Sequence, residues 1–164
     1  MAYVDFDLKK AVRTFGLIEN DATDLFEKVA SIEPSDPLRG MLDDLVPVAL
    51  GINSEQARRE YIISPILLEA RRPSPTESPI LAVVEAERED LNAGLGQCVA
   101  EMVAIQIFNE KDGKSVPAVH RAVTSGTNWR FLKLDGQALS IDMPEYGLPD
   151  LGKILGILVA IAGS

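Results

Sequence analysis

Cysteine, aromatic residues and positive charge are all scarce in this chain. The single cysteine, Cys98, cannot form an intrachain disulfide, which predicts a reducing compartment. Aromatic residues make up only 5% of the 164, so Leu, Ile, Val and Ala must fill the core. The 16 Lys and Arg are outnumbered by 25 Asp and Glu, for a net charge of −9. Since Lys and Arg supply most of the affinity for phosphate, we expect no tight autonomous DNA binding, and DNA is only a weakly supported partner.

Long apolar runs are also missing. The longest, over residues 154–162, is too short to span a bilayer. Residues 1–7 have neither the basic nor the apolar region of a signal peptide. We therefore expect a cytoplasmic protein without membrane contact. Hydrophobic residues still make up 46% of the chain, which is enough to bury the core of one domain.

Helical patterns dominate the first part of the chain. They lie at residues 5–16, 21–30, 41–50 and 55–72, with a proline-containing loop at 32–40. Ser54 or Asn53 can cap the last of these helices, and Pro65 predicts a kink or break within it. We interpret the chain as one domain, 1–164, with an N-terminal helical segment, 1–52, and a core, 53–164.

The second part of the chain alternates strand and helix patterns. Residues 80–84 form a continuous apolar run that is typical of a strand buried on both faces. The later elements are a helix at 91–109, strands at 118–124, 129–134 and 138–142, and a helix at 149–161. A strand that crosses through a helix to the next strand is a βαβ unit. The predicted fold class is therefore α/β.

The buried strand leads directly into two carboxylates, Glu85 and Glu87. Residues two apart on a strand point to the same face, where two acids repel each other. A divalent cation such as Mg²⁺ relieves that repulsion, because it prefers hard oxygen ligands. The alternative is that the strand ends at Val84 and that both carboxylates are solvated. On spacing alone, this alternative is favoured.

Residues 79–87, followed by residues 94–102, resemble the core of the PD-(D/E)xK nuclease superfamily. In that superfamily an acid and a lysine two positions later close a core strand, and in several branches the next helix carries a glutamine that faces the site. Glu85 matches the acid and Gln97 matches the glutamine. The resemblance implies a restriction endonuclease-like core, in which helices flank a mixed sheet.

The likeness extends to both sides of this motif. Residues 53–58 and 62–67 are similar to the first helix of type I restriction-enzyme nuclease domains, where a glutamate completes the metal site. Glu55 is the matching residue. Nearly the whole chain also resembles uncharacterised cyanobacterial nuclease-like proteins. The resemblance thus implies catalytic roles for Glu85, Glu87, Gln97 and Glu55, with Glu85 and Glu55 as ligands of a weak magnesium site.

Two departures from the superfamily weaken that site. Glu87 stands in place of the lysine, and a carboxylate cannot stabilise charge that develops on phosphate. The superfamily also has two strands before the Glu85 strand, and the second carries a metal-binding aspartate. Here residues 73–78 must bridge the gap, contain no aspartate, and reach roughly 20 Å when extended. We infer that one hairpin of the usual sheet is missing, which leaves a sheet edge for a second copy to cover in a homo-oligomer, at least a dimer.

Three functions remain open at this point. The favoured one is a degenerate nuclease-like domain without nuclease activity that serves as a binding or assembly module. The alternative is a Mg²⁺-dependent DNA endonuclease with a Glu-x-Glu site, and the third is an unrelated small-molecule binder. Other candidate residues have plainer roles, since His120 and Cys98 are expected to be structural and Arg58 and Arg59 to be solvated.

Overall fold

The computed structural model describes residues 7–72, 83–85, 91–113 and 118–162, excluding the side chains of residues 21–23 and 83–85. The α-helices in these ranges are α1 (Leu8–Thr14), α2 (Asp36–Ile52), α3 (Glu55–Arg58), α4 (Ser64–Arg71), α5 (Asn92–Lys111) and α6 (Leu151–Ala162). A π-helical turn, Arg59–Ile63, joins α3 to α4, and a 3₁₀ turn, Leu148–Asp150, precedes α6. The strands are β1 (Ile18–Thr23), β2 (Val83–Glu85), β3 (Val119–Thr124), β4 (Asn128–Asp135), β5 (Ala138–Asp142) and β6 (Tyr146–Gly147).

The strands form one mixed sheet in the order β1-β5-β4-β3-β2, with β6 paired to the start of β4. The pairs β1–β5 and β2–β3 are parallel, whereas β3–β4 and β4–β5 are antiparallel. Helix α5 connects the parallel strands β2 and β3, as the βαβ interpretation predicts. The α/β class is therefore confirmed, as is a mixed sheet with flanking helices.

Helices cover both faces of this sheet, because successive side chains on each strand point to opposite sides. Trp129 and Phe131 of β4 pack into a core with α2, α3, α4 and α6. Leu132 and Leu134 of the same strand pack into a second core with α1 and α5. Within the described residues, no helix has the length and apolar content needed to cross a bilayer.

Polar caps and one proline fix the helices before β2. Ser35 caps α2, and its backbone N–H and hydroxyl both donate to the carboxylate of Glu69 on α4. Ser54 caps α3, while Asn53 ends α2 in the left-handed conformation with φ 54°. The break predicted at Pro65 is not seen, since helical backbone continues from α3 through the π-helical turn into α4, which holds Pro65 in its first turn.

Two predictions for the N-terminal segment are wrong. Residues 21–30 are not a helix, because 18–23 form β1 and pair in parallel with β5. The segment 1–52 is therefore not purely helical, since it supplies one strand of the sheet. The predicted loop at 32–40 ends early, because Pro37 lies in the first turn of α2, where its missing N–H costs nothing.

Most other elements agree with the sequence patterns. The three strands predicted after α5 are β3, β4 and β5, and the last predicted helix is α6. The apolar run at 80–84 is seen in part, as β2, because residues 80–82 lie outside the described residues. The short bridge at 73–78 also lies outside them.

Candidate functional site

Four strands of the sheet end on the same side of the molecule. Because β3 and β5 are both antiparallel to β4, and β2 and β1 are parallel to them, these four strands share one direction. We call the side where they end the carboxyl end of the sheet. Open α/β sheets commonly bind their ligands there, because loops and helix ends meet at that side.

Glu85 is the last residue of β2 and so lies at the carboxyl end. Its register partner is Thr124, the last residue of β3. The strand includes Glu85, as the resemblance implied, whereas the spacing alone had favoured an end at Val84. Glu87 and the side chain of Glu85 lie outside the described part of the chain.

A buried arginine of α3 reaches the end of the neighbouring strand β3. Arg58, the last residue of α3, is only 6% exposed. Its Nη1 donates to the backbone oxygen of Ser125 at 2.8 Å, and its Nη2 donates to Oδ1 of Asn53 at 3.1 Å. Ser125 directly follows Thr124, so the guanidinium is anchored beside the end of β3. The prediction that Arg58 is solvated is therefore wrong, whereas its neighbour Arg59 is exposed.

The turn between β3 and β4 is buried and internally bonded. The Thr124 hydroxyl donates to the Asn128 oxygen at 2.7 Å and accepts from the Gly126 N–H at 2.9 Å. Gly126 has φ 92°, and a Cβ there would lie 3.3 Å from Ile62 in the π-helical turn. The β3–β4 turn thus packs closely against the π-helical turn that directly follows Arg58. This contact fixes the position of the guanidinium.

The other two residues of the implied catalytic set lie on helices at opposite faces of the sheet. Glu55 is exposed at the start of α3, which packs into the core with Trp129. Gln97 is half-buried on α5, which packs on the other face. The Gln97 amide donates to Oε1 of Glu101 at 3.3 Å. Within the described residues, no group of three or more His, Cys, Asp or Glu could hold a metal ion. Magnesium binding by Glu55 and Glu85 therefore stays a prediction.

A second arginine, Arg121 of β3, is buried on the face of the sheet that α5 covers. Arg121 is 6% exposed, and its Nη1 has no hydrogen-bond partner in the described structure. Burial lowers the pKa of this guanidinium, although the nearby Cys98 and Glu101 act against that effect. Burial also raises the pKa of the Cys98 thiol to about 12, so this cysteine is not a nucleophile at neutral pH. The expected structural role of Cys98 is consistent with this burial.

A buried acid lies at the end of β5. Asp142 is fully buried and accepts hydrogen bonds from the Leu25 N–H at 2.8 Å and the Tyr146 hydroxyl at 3.0 Å. Burial raises the pKa of Asp142, and the two hydrogen bonds oppose that shift only in part. The pKa of Tyr146 is raised as well, first by burial and then by its bond to this carboxyl. Asp142 therefore ties the chain after β1 to the carboxyl end of the sheet.

A cleft of about 750 Å³ lies away from all of these groups, between α2 and the start of α6. The Arg39 side chain at its wall pairs with Glu33 at 2.9 Å. The Lys153 ammonium, also at the wall, donates to the backbone oxygens of Phe26 and Val29. Of the predicted catalytic residues whose side chains are described, neither Glu55 nor Gln97 lines this cleft.

Arg58, Arg121 and Asp142 were not among the site residues predicted from the sequence. Arg58 and Arg59 are adjacent and chemically identical, so only packing distinguishes the buried one from the exposed one. No protein-family model, curated protein or solved structure matches this chain. The likeness to the PD-(D/E)xK superfamily therefore rests on the sequence motifs alone.

Proposed function

We propose that this chain is a degenerate restriction endonuclease-like domain that does not cleave DNA and acts as a binding or assembly module. The observation that carries the proposal is the buried guanidinium of Arg58 beside the end of β3, next to the strand that Glu85 ends. The terminal nitrogens of Arg58 donate to the Ser125 oxygen and to Asn53, so the protein itself holds this guanidinium, and it does not take the place of the lysine that would stabilise charge on phosphate.

The composition of the site supports the same conclusion. Glu87 replaces the lysine that would stabilise charge on phosphate, and residues 73–78 offer no aspartate as a metal ligand. The net charge of −9 also opposes the approach of a polyanionic substrate. A domain with these features keeps the fold while lacking the groups that hydrolysis requires.

The test is a cleavage assay on supercoiled plasmid in Mg²⁺ and, separately, in Mn²⁺. We expect no nicking by the wild-type protein and no difference between it and Glu85→Gln. Titration calorimetry with each cation alone should show no saturable binding that depends on Glu85. The proposal is overturned if wild-type protein cleaves and Glu85→Gln does not, because the Mg²⁺-dependent endonuclease then remains as the explanation.

A matched pair of variants tests the part assigned to Arg58. Arg58→Gln should destabilise the fold by about 1–3 kcal/mol, because the Ser125 oxygen and Asn53 lose their donor. Arg59→Gln, one residue later and exposed, should cost less, because solvent screens the charge of an exposed side chain. Equal effects in urea unfolding would show that Arg58 is not anchored at the strand end.

A further inference from the structure

A row of polar side chains crosses four strands of the sheet. His120 of β3 is the register partner of Lys133 of β4, and Lys133 is also the partner of Ser140 of β5. Ser140 is in turn the partner of Asn20 of β1. Register partners point to the same face of a sheet, so these four side chains stand side by side. We call them the polar row.

The polar row lies where the helical cover of the sheet ends. Ala122 and Phe131, two residues along their strands from the row, are fully buried in the core with α2, α3, α4 and α6. In the row itself, His120, Lys133 and Ser140 are only half-buried. Solvent therefore reaches the row from one side, while partial burial limits the screening of charge there.

Every member of the row can donate a hydrogen bond. The Lys133 ammonium offers three donors, and a neutral His120 imidazole and the Ser140 hydroxyl offer one each. The Asn20 amide donates to the Ser140 oxygen at 3.4 Å, which leaves the Ser140 proton for another acceptor. Within the described part of the chain, the side chains of Lys133 and His120 make neither a hydrogen bond nor an ion pair. The row thus presents donors without acceptors of its own.

The charges at this point of the sheet favour an anion. Lys133 supplies a positive charge within the row, whereas the acid of β4, Asp135, is exposed at the strand end, where solvent screens it. Burial and the Lys133 ammonium both lower the pKa of His120, so its imidazole is neutral at pH 7 and donates without adding charge. A half-buried ammonium between neutral donors is complementary to an oxyanion.

We propose that the polar row binds a phosphate group, with Lys133 in the middle and His120 and Ser140 on either side. Neighbouring strands lie about 4.8 Å apart, so the three side chains start within roughly 10 Å of one another. A tetrahedral dianion has more acceptor oxygens than a carboxylate, and it can accept from all three. The net charge of −9 restricts the row to a small anion rather than a nucleic acid.

The row is separate from the site described above. His120 is the second residue of β3 and lies towards its start, whereas Glu85 lies at the carboxyl end of the sheet. Binding of a phosphate group here therefore goes beyond the proposed function and does not rest on the absence of cleavage.

His120 is the only histidine of the chain, so its imidazole resonances in an NMR titration report on the row alone. The pKa of His120 is measured in sodium sulfate and in sodium chloride of equal ionic strength. Sulfate is the probe because, unlike phosphate, it keeps its charge near neutral pH. A bound anion raises the pKa of a neighbouring imidazole, because opposite charge favours the protonated form. We expect a pKa about one unit higher in sulfate, which corresponds to about tenfold tighter binding once His120 is protonated.

Variants of the row test its individual donors, with the chemical shift of His120 at constant pH as the readout. Lys133→Met should weaken the binding of sulfate and of inorganic phosphate at least about tenfold, because the ion pair is lost. Ser140→Ala should weaken it about two- to tenfold. Lys9→Met is the matched control, because Lys9 is exposed on α1 at the other face of the sheet. Circular dichroism establishes that the variants are folded.

The inference is overturned if chloride or acetate at the same ionic strength shifts the pKa of His120 as much as sulfate does, because the row then does not select a tetrahedral dianion. It is also overturned if Lys133→Met binds sulfate as well as Lys9→Met does. These outcomes are independent of the plasmid assay, since Glu85 is not part of the row. A protein that neither cleaves DNA nor binds sulfate overturns the polar row alone, whereas cleavage overturns the absence of catalysis alone.

Discussion

Gly156 allows the chain after β1 to lie directly on α6. A Cβ built at this position would lie 2.2 Å from the backbone oxygen of Ala30, about 1 Å inside an ordinary carbon–oxygen contact. The clash cannot be relieved by a side-chain rotation, because the opposing atom belongs to the backbone. Gly156→Ala therefore requires the segment around residue 30 to move away from the helix.

That movement would break bonds that hold the segment in place. The Ile32 N–H donates to the Gly152 oxygen at 2.9 Å, and Lys153 donates to the Val29 oxygen. Overpacking costs about 1–3 kcal/mol and each lost hydrogen bond about 0.5–1.5 kcal/mol. Alanine recovers about 1 kcal/mol of helix propensity. We expect Gly156→Ala to lower the free energy of unfolding by about 2–4 kcal/mol in urea titrations.

Gly40→Ala provides the matched control within a helix. Gly40 lies inside α2, and a Cβ there meets nothing within 4 Å. This variant should gain about 0.5–1 kcal/mol, because alanine loses less backbone entropy than glycine. If Gly156→Ala is as stable as Gly40→Ala, the chain near Ala30 does not rest on α6 and the reasoning fails.

Three further predictions concern buried polar groups. Arg121→Met should raise the free energy of unfolding by about 1–3 kcal/mol, because it removes a buried guanidinium with an unsatisfied N–H. A loss of stability would show instead that Arg121 is paired. Because the pKa of Asp142 is raised in the folded state, wild-type stability should fall as pH rises above 3.8 towards that folded pKa, then level off. In Asp142→Asn this pH dependence should be absent, so the difference in stability between the two proteins should itself change with pH. A difference that stays constant with pH would contradict the burial of the carboxyl. Cys98 should resist alkylation in the native protein and react on unfolding, and rapid native labelling would contradict its burial and its pKa of about 12.

The elements that the sequence predicted well are those in which local pattern and tertiary environment agree. The strand predicted at 129–134 has buried residues on both faces, and it forms the middle of the sheet. Residues 18–23 are different, because Glu19 and Asn20 are exposed and the segment has no apolar alternation. It forms β1 only because β5 lies beside it as a parallel partner, and no local sequence pattern indicates that pairing.

The candidate site was also only partly predictable from local sequence patterns. The apolar run at 80–84 predicts the strand, but the inclusion of Glu85 in β2 was implied only by the resemblance. The burial of Arg58 depends on the turn at Ser125, which lies 67 residues away along the chain. A single sequence contains no signal for a contact of that range between an arginine and a backbone oxygen, so only the fold could reveal it.

The pairing of β1 with β5 has a consequence for how the chain acquires its structure. Asn20 and Ser140 meet across this pair although they are 120 residues apart. Contacts this distant raise the contact order and slow folding, because a large loop must close before they form. On the ribosome, β1 emerges early and has no strand to join until β5 is made. We therefore expect the N-terminal strand to be among the last elements to dock during synthesis.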